Sequence, residues 1–230
     1  MTGFIGILML DTAFERVLGD AGNPASYHLP AKTAVVQNAG STDIVRNGKP
    51  DPILVAAFCE AAQRLEAEGA VALTSTCGFL ITAQQDIARS VGIPVMVSAL
   101  ALFPVIRAMH GNRPVGIITA SKEQLGSEVQ DAAGIGSDQA VIAGMQDVDA
   151  FASSILVPKD RQITAIDQSA IRAAVVSKAI NLCRSTPTIA AILLECGNLP
   201  PYAQAIKMAT GKPVYSIFDG VRFITNETEA

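Results

Sequence analysis

The chain contains one pattern twice, and that repetition limits its folds more than any other feature. Cys77-Gly78-Phe79-Leu80 is matched by Cys196-Gly197-Asn198-Leu199. Fifteen residues beyond each cysteine stands a glycine, Gly92 or Gly211, and two further on come Pro94-Val95 and Pro213-Val214. Each cysteine follows a short apolar run, AVALTST before the first and IAAILLE before the second. The openings of the two halves agree as well. GFIGILMLDT from Gly3 and RPVGIITAS from Arg113 are both glycine-containing strand patterns that run into a polar loop. Self-similarity of this kind marks duplicated supersecondary units. Here it predicts two similar halves meeting near Asn112.

What each half contains follows from its hydrophobic runs. Strands are predicted at Ile5–Leu10, Thr33–Gln37, Ala70–Thr74, Pro94–Val97, Pro114–Thr119, Ala140–Ala143, Thr188–Leu194 and Val214–Ile217. They are nearly continuous Val/Ile/Leu runs rather than alternating ones, which favours parallel sheets covered on both faces. Helices are predicted at Pro52–Glu68, Phe79–Val91, Ala99–His110, Lys122–Ala133, Asp167–Arg184 and Pro201–Thr210. Pro52 and Pro201 suit first-turn positions, and Gly69 and Gly211 suit helix ends. The fold class is α/β, with two pseudo-symmetric three-layer halves, mainly parallel sheets and an active site in the cleft between them. The expected division is residues 1–111, completed by a returning segment of about 212–230, and residues 112–211. Asp11–Pro30 and Asn38–Asp51 are long irregular loops, the kind that carry function in compact domains.

Composition removes several classes of function. Half of the 230 residues are hydrophobic and 17% are charged, so a core is affordable; only the terminal NETEA reads as disordered. The net charge is −4 with no basic cluster, which argues against nucleic acid. The longest uncharged apolar stretch, Gly92–Ile106, is too short for a membrane span and holds two prolines. The run Phe4–Leu10 lacks a basic segment before it and reads as a strand, not a signal peptide. Four dispersed cysteines without Cys-x-x-Cys fit reduced thiols and a cytoplasmic location. His28 and His110 show no metal-ligand spacing, no Walker-type or dinucleotide loop is present, and no lysine stands out for a pyridoxal cofactor. No cofactor and no metal are expected.

Parallel α/β sheets bind ligands at the carboxyl ends of their strands. If the two halves face each other, Cys77 and Cys196 lie on opposite walls of one cleft. A thiolate on one side and a thiol on the other can remove a proton from one face of a carbon and return one to the other face. A free thiol has a pKa of about 8.5, so the thiolate needs nearby N–H groups, which the helix starts after both cysteines would supply. Cys59 and Cys183, in mid-helix, read as small core residues.

At this point the motifs LDTAFERVLGDAGNP (Leu10–Pro24), TSTCGFL (Thr74–Leu80) and LECGNLPPYA (Leu194–Ala203) carry a resemblance. The chain resembles the aspartate/glutamate/hydantoin racemase superfamily over nearly its whole length, within a subgroup having the GDxGNP loop and the LECxNxPPYA motif. These are cofactor-independent enzymes of two pseudo-symmetric halves with a cysteine in each. The resemblance implies proton transfer at the α-carbon of an amino acid or related small carboxylic acid, with Cys77 and Cys196 as the two bases. Glutamate racemases resemble this chain in an Asp-Ser that corresponds to Asp11-Thr12. This chain departs from the family in having Gly78 and Gly197 where the free-amino-acid racemases carry Asn or Thr, and in having no His after Cys196.

The candidate substrate-binding residues are Asp11, Asn23, Thr76, Gly78, Thr119, Ser121, Gly197 and Asn198. Gly78 and Gly197 would let the backbone approach a substrate carboxylate. Thr119 and Ser121 serve equally as helix caps. Glu195, if ionised and close, would raise the Cys196 thiol, although adjacent strand residues face opposite sides. The reading is an isomerase of the racemase/epimerase type. Its alternatives are a maleate-type isomerase, an arylmalonate-type decarboxylase, and a non-catalytic acid-binding or redox-sensing protein. The expected partner is a small carboxylic or amino acid, and Ala99–His110 offers an apolar face for a homo-oligomer.

Overall fold

All eight expected strands form in a computed structural model that describes residues 3–225; the NETEA tail lies outside the described residues. They are β1 (Phe4–Leu10), β2 (Ala31–Val36), β3 (Ala70–Ser75), β4 (Val95–Met96), β5 (Val115–Thr119), β6 (Ala140–Gly144), β7 (Ala191–Leu194) and β8 (Val214–Tyr215). Every pairing is parallel, and the strands make two four-stranded sheets in the orders β2-β1-β3-β4 and β6-β5-β7-β8. The second order is the first with each strand replaced by its counterpart four places later, so the sequence repeat reappears as a repeat of topology. β3, β5 and β7 are buried at nearly every residue, as parallel strands covered on both faces must be.

The helices of the described residues are α1 (Ser41–Ile44), α2 (Pro52–Ala67), α3 (Gln84–Arg89), α4 (Phe103–Met109), α5 (Ser127–Ala132), α6 (Asp149–Ile155), α7 (Gln168–Ser185), α8 (Ala203–Thr210) and α9 (Ile217–Thr225). The ends of the long ones have legible causes. Pro52 opens α2 behind Asp51, whose side chain accepts from the N–H of Ile53, and Asp167 caps α7 through the N–H of Ala170. Gly211 ends α8 at φ +67°, a left-handed position that suits glycine. Three predicted helices begin as 3₁₀ turns, at Gly78–Ala83, Ala99–Leu102 and Pro200–Tyr202.

The predicted helix Lys122–Ala133 is a correction. Only Ser127–Ala132 is helical, because Ser121 draws the preceding segment into a turn: its carbonyl accepts from the N–H of Leu125 and its Oγ from that of Gln124. The N–H of Glu128 is then satisfied by Oδ1 of Asn47, from the other half of the chain. α1 and α6 were not expected. Four and seven residues are too few to show a helical period. β8 still belongs to the second sheet, so the chain leaves it after Tyr215 rather than near residue 212, and α9 packs on β3 and β4 of the first. Among the described residues, no helix is long and apolar enough to cross a membrane.

Candidate active site

In both sheets the chain reverses direction of growth between the first and third strands, which opens a crevice at their carboxyl ends. Cys77 lies just beyond β3 and Cys196 just beyond β7. Both line one cavity, together with Thr12, Arg16, Ser41, Thr76, Glu195 and Asn198 and an apolar wall that includes Phe14 and Ile155. The cavity has a free volume of ≈ 20 Å³, room for about one water. It is closed by contacts between the loop after β1 and the segment after α6. The N–H of Ala13 donates to Oε1 of Gln162, the N–H of Glu15 to the carbonyl of Thr164, and the N–H of Ile166 to Oε1 of Glu15.

The two thiols differ in their surroundings. Cys77 sits at the head of the 3₁₀ turn Gly78–Ala83, and the N–H groups of Phe79 and Leu80 face its sulfur. Cys196 receives the N–H of Asn198 and donates its own proton to Oδ1 of that side chain at 3.3 Å. The amide of Asn198 cannot turn round, because its Nδ2 donates to Oδ2 of Asp20 at 2.6 Å and a carboxylate only accepts. Asp20 in turn accepts from the N–H of Gly22 and from Nη1 of Arg16. Cys196 is therefore held as a thiol by a fixed polar chain, whereas Cys77 faces donors suited to a thiolate. Burial in the closed cavity pushes both thiols well above their ordinary range, and the charge of Glu195 pushes them further.

Glu195 is 2% exposed. Its Oε2 accepts from Oγ1 of Thr119 at 2.8 Å and from the N–H of Ala120 at 3.1 Å, while Oε1 has no hydrogen-bond partner. Strand alternation does not turn it away from the cavity, because β7 ends at Leu194 and Glu195 already belongs to the loop. Burial, only partly offset by Thr119 and Ala120, pushes its carboxyl up from 4.5 to about 7. A carboxyl raised on folding binds its proton more tightly in the folded state. Its contribution to stability is fully present below pH 4.5 and is lost as pH rises through about 7. Wild-type protein is expected to lose about 3 kcal/mol of unfolding free energy across that window, and Glu195→Gln to lose little of it. Urea titrations at several pH values measure this.

The other predicted site residues divide clearly. Thr76 and Asn198 line the cavity with the cysteines. Asp11 does not: it pairs with Lys159, accepts from the N–H of Asn38, and borders a separate surface groove. Its neighbour Thr12 lines the cavity instead and accepts from Nη2 of Arg16 at 2.9 Å. Asn23 shapes the loop by accepting from the N–H of Ala25 and donating to the carbonyl of Arg16. Thr119 serves Glu195, and Ser121 serves its own turn.

Gly78 and Gly197 do something other than admit a substrate carboxylate. A Cβ on Gly78 would lie 2.3 Å from Oε1 and 2.4 Å from the carbonyl oxygen of Glu195, and one on Gly197 would lie 2.6 Å from the carbonyl oxygen of Thr76. Each glycine lets its cysteine loop lie against the other half's loop. Arg16 and Thr12 line the cavity although neither was a candidate, and Glu195, weighed only for its effect on Cys196, lines it too. Their signal was a charged or hydroxyl side chain within the motifs Leu10–Pro24 and Leu194–Ala203.

No family model matches the chain. Among solved structures it is similar to unliganded arylmalonate decarboxylase (TM-score 0.62, 16% identity, 99% of this chain and 92% of that one). It is also similar to allantoin racemase from Pseudomonas fluorescens (TM-score 0.61, 13% identity, 97% and 90%). These likenesses, with that to glutamate racemase from Bacillus anthracis, show the racemase-type fold. In sequence it is similar to a dimethylsulfoniopropionate lyase of Durusdinium sp. clade D, 32% identical over 218 residues that make up 92% of this chain and 70% of that protein. Dimethylsulfoniopropionate lyase 7 of Emiliania huxleyi is 31% identical over 219 residues, 92% of this chain and 63% of that protein. The chain thus spans about two thirds of the length of these relatives. With identity above 30% across nearly the whole chain, on a fold shared with racemases and a decarboxylase, the chain belongs to the family of the dimethylsulfoniopropionate lyases.

Proposed function

We propose that the chain is a lyase that removes the proton next to the carboxylate of a small acid and expels a sulfonium-bound group from the adjacent carbon. The observation that carries this reading is the pair of cysteines in one closed cavity, in a chain whose relatives are named for cleaving dimethylsulfoniopropionate. That name describes a propionate with a dimethylsulfonium on its far carbon. In the elimination, the Cys77 thiolate takes the α-proton and the C–H electrons form the carbon–carbon double bond. The carbon–sulfur bond breaks with its electrons going to sulfur. Dimethyl sulfide and acrylate result, and the proton remains on Cys77 until it is released to solvent. The substrate's own positive charge favours the thiolate in a site whose burial disfavours it. Cys196, held as a thiol by Asn198, neither gives nor takes a proton in this step.

A second reading, racemisation or epimerisation at the α-carbon, shares the first step and is favoured by a thiol from each half in one cavity. One experiment separates the two. Wild-type protein incubated in D₂O with dimethylsulfoniopropionate is expected to release dimethyl sulfide. Under the second reading, chiral small acids such as aspartate or glutamate would exchange their α-hydrogen without elimination. Absence of both dimethyl sulfide and α-deuteration would defeat both readings.

A further inference from the structure

The cavity lining carries groups of both charges. Arg16 has its guanidinium 4.3 Å over the ring of Phe14 and bonded to Thr12 and Asp20. Asp20 has both oxygens occupied, by Arg16, Gly22 and Asn198. Glu195 lines the same cavity, with one oxygen held by Thr119 and Ala120 and the other buried without a hydrogen-bond partner among the described residues. A buried polar atom left unpaired is costly, and native proteins keep one where something else is meant to meet it. The free oxygen is a single acceptor. An α-ammonium group brings three N–H donors, each needing an acceptor in a dry site. Two of the neighbouring hydroxyls are already engaged, Oγ1 of Thr76 by the N–H of Leu10 and Oγ1 of Thr12 by Arg16, which leaves the Ser41 hydroxyl and the free carboxyl oxygen, fewer side-chain acceptors than an ammonium has donors. A fully alkylated cation brings charge but no donors, and its methyl groups suit the apolar lining of Phe14, Val45 and Ile155.

We infer that the free oxygen of Glu195 is the counter-ion of the substrate's alkylated cation, with Arg16 receiving its carboxylate. The site then selects acids that carry a sulfonium or similar fully alkylated onium group over α-amino acids and over uncharged isosteres. This rests on the elimination reading above for the class of substrate, and it assigns the specificity-determining residue. Glu195 acts on the far end of the substrate and moves no proton in this account.

Binding without turnover tests it. The probes are 3-(trimethylammonio)propanoate, its uncharged isostere 4,4-dimethylpentanoate, and β-alanine, titrated calorimetrically into the full chain. Wild type is expected to bind the trimethylammonio acid about 10-fold or more tightly than either of the others. Glu195→Gln keeps an oxygen for Thr119 and Ala120, and is expected to lose that preference while its affinity for 4,4-dimethylpentanoate stays within about 2-fold. Glu195→Asp keeps the charge and is expected to retain part of the preference, so the comparison survives if the Gln variant does not fold. Equal losses for the charged and uncharged probes, or no preference in the wild type, would overturn the inference. The outcomes also separate the two proposals. A Glu195-dependent preference without dimethyl sulfide release leaves this inference and removes the elimination; dimethyl sulfide release with an unchanged preference in Glu195→Gln does the reverse.

Discussion

Cys77→Ser is expected to lower kcat/KM for dimethyl sulfide release by about 10³-fold or more, with little change in thermal stability. The substitution keeps the shape of the side chain and the N–H groups of Phe79 and Leu80 around it. What it removes is an atom able to hold negative charge near neutral pH, since a serine hydroxyl ionises far less readily than a thiol. Cys196→Ser is expected to cost much less, within about 10-fold, because a hydroxyl still donates to Asn198 and still presents a neutral proton. The order matters as much as the size. Equal collapse of both variants would mean that each thiol must ionise in turn, the signature of two-sided proton transfer, and would favour the racemase reading. Full activity in Cys77→Ser would end the assignment of that thiol as the base. Gas-phase detection of dimethyl sulfide, with melting curves as the folding control, measures both.

Gly78→Ala is the second large effect, and it tests the packing of the two halves rather than the chemistry. The added methyl would sit 2.3 Å from one oxygen of Glu195 and 2.4 Å from its backbone carbonyl. The carboxylate has room to move only by leaving Thr119 and Ala120, and the carbonyl belongs to the loop that carries Cys196. Overpacking of this sort costs about 1–3 kcal/mol, or about 2–4 °C in Tm for each kcal/mol in a chain of this size. Activity is expected to fall further than stability, because the displaced atoms lie beside both thiols. Gly92→Ala, at the matching glycine outside the site, meets only a side-chain oxygen of Glu66 at 3.3 Å and is expected to be nearly silent. If Gly78→Ala melts and turns over like wild type, the two cysteine loops are not in the contact described.

Much of this was legible in one dimension, and for identifiable reasons. A strand buried on both faces must be apolar throughout, so β1, β3, β5 and β7 announce themselves whatever surrounds them. Pro52 with Asp51, and Gly211, are local signals that act within a few residues of themselves. The short helices α1 and α6 gave no such signal, yet Ser41 and Ile155 of those turns line the cavity. The start of α5 was misjudged because the side chain that serves its N–H groups, Asn47, lies 81 residues away. Asp11 was a candidate through its correspondence with the Asp-Ser of glutamate racemases, but β1 ends at Leu10, Asp11 pairs with Lys159, and Thr12 lines the cavity.

The division between sequence and tertiary structure runs through the two Cys-Gly pairs. Counting along the chain was enough to pair Cys77 with Cys196, since a duplicated unit repeats its spacing whether or not it is folded. It was enough for two parallel sheets and for a site at their carboxyl ends. The meaning of the glycines was decided only when the halves met: each is small because the opposite loop occupies the place of its side chain. The same meeting left one oxygen of Glu195 unpaired, aimed Asn198 at one thiol and not the other, and put Arg16 in the lining of the same cavity. A pattern of residue types records what each segment must bury. Which donor faces which acceptor across a hundred residues is set by how the buried faces dock, and no local pattern contains that.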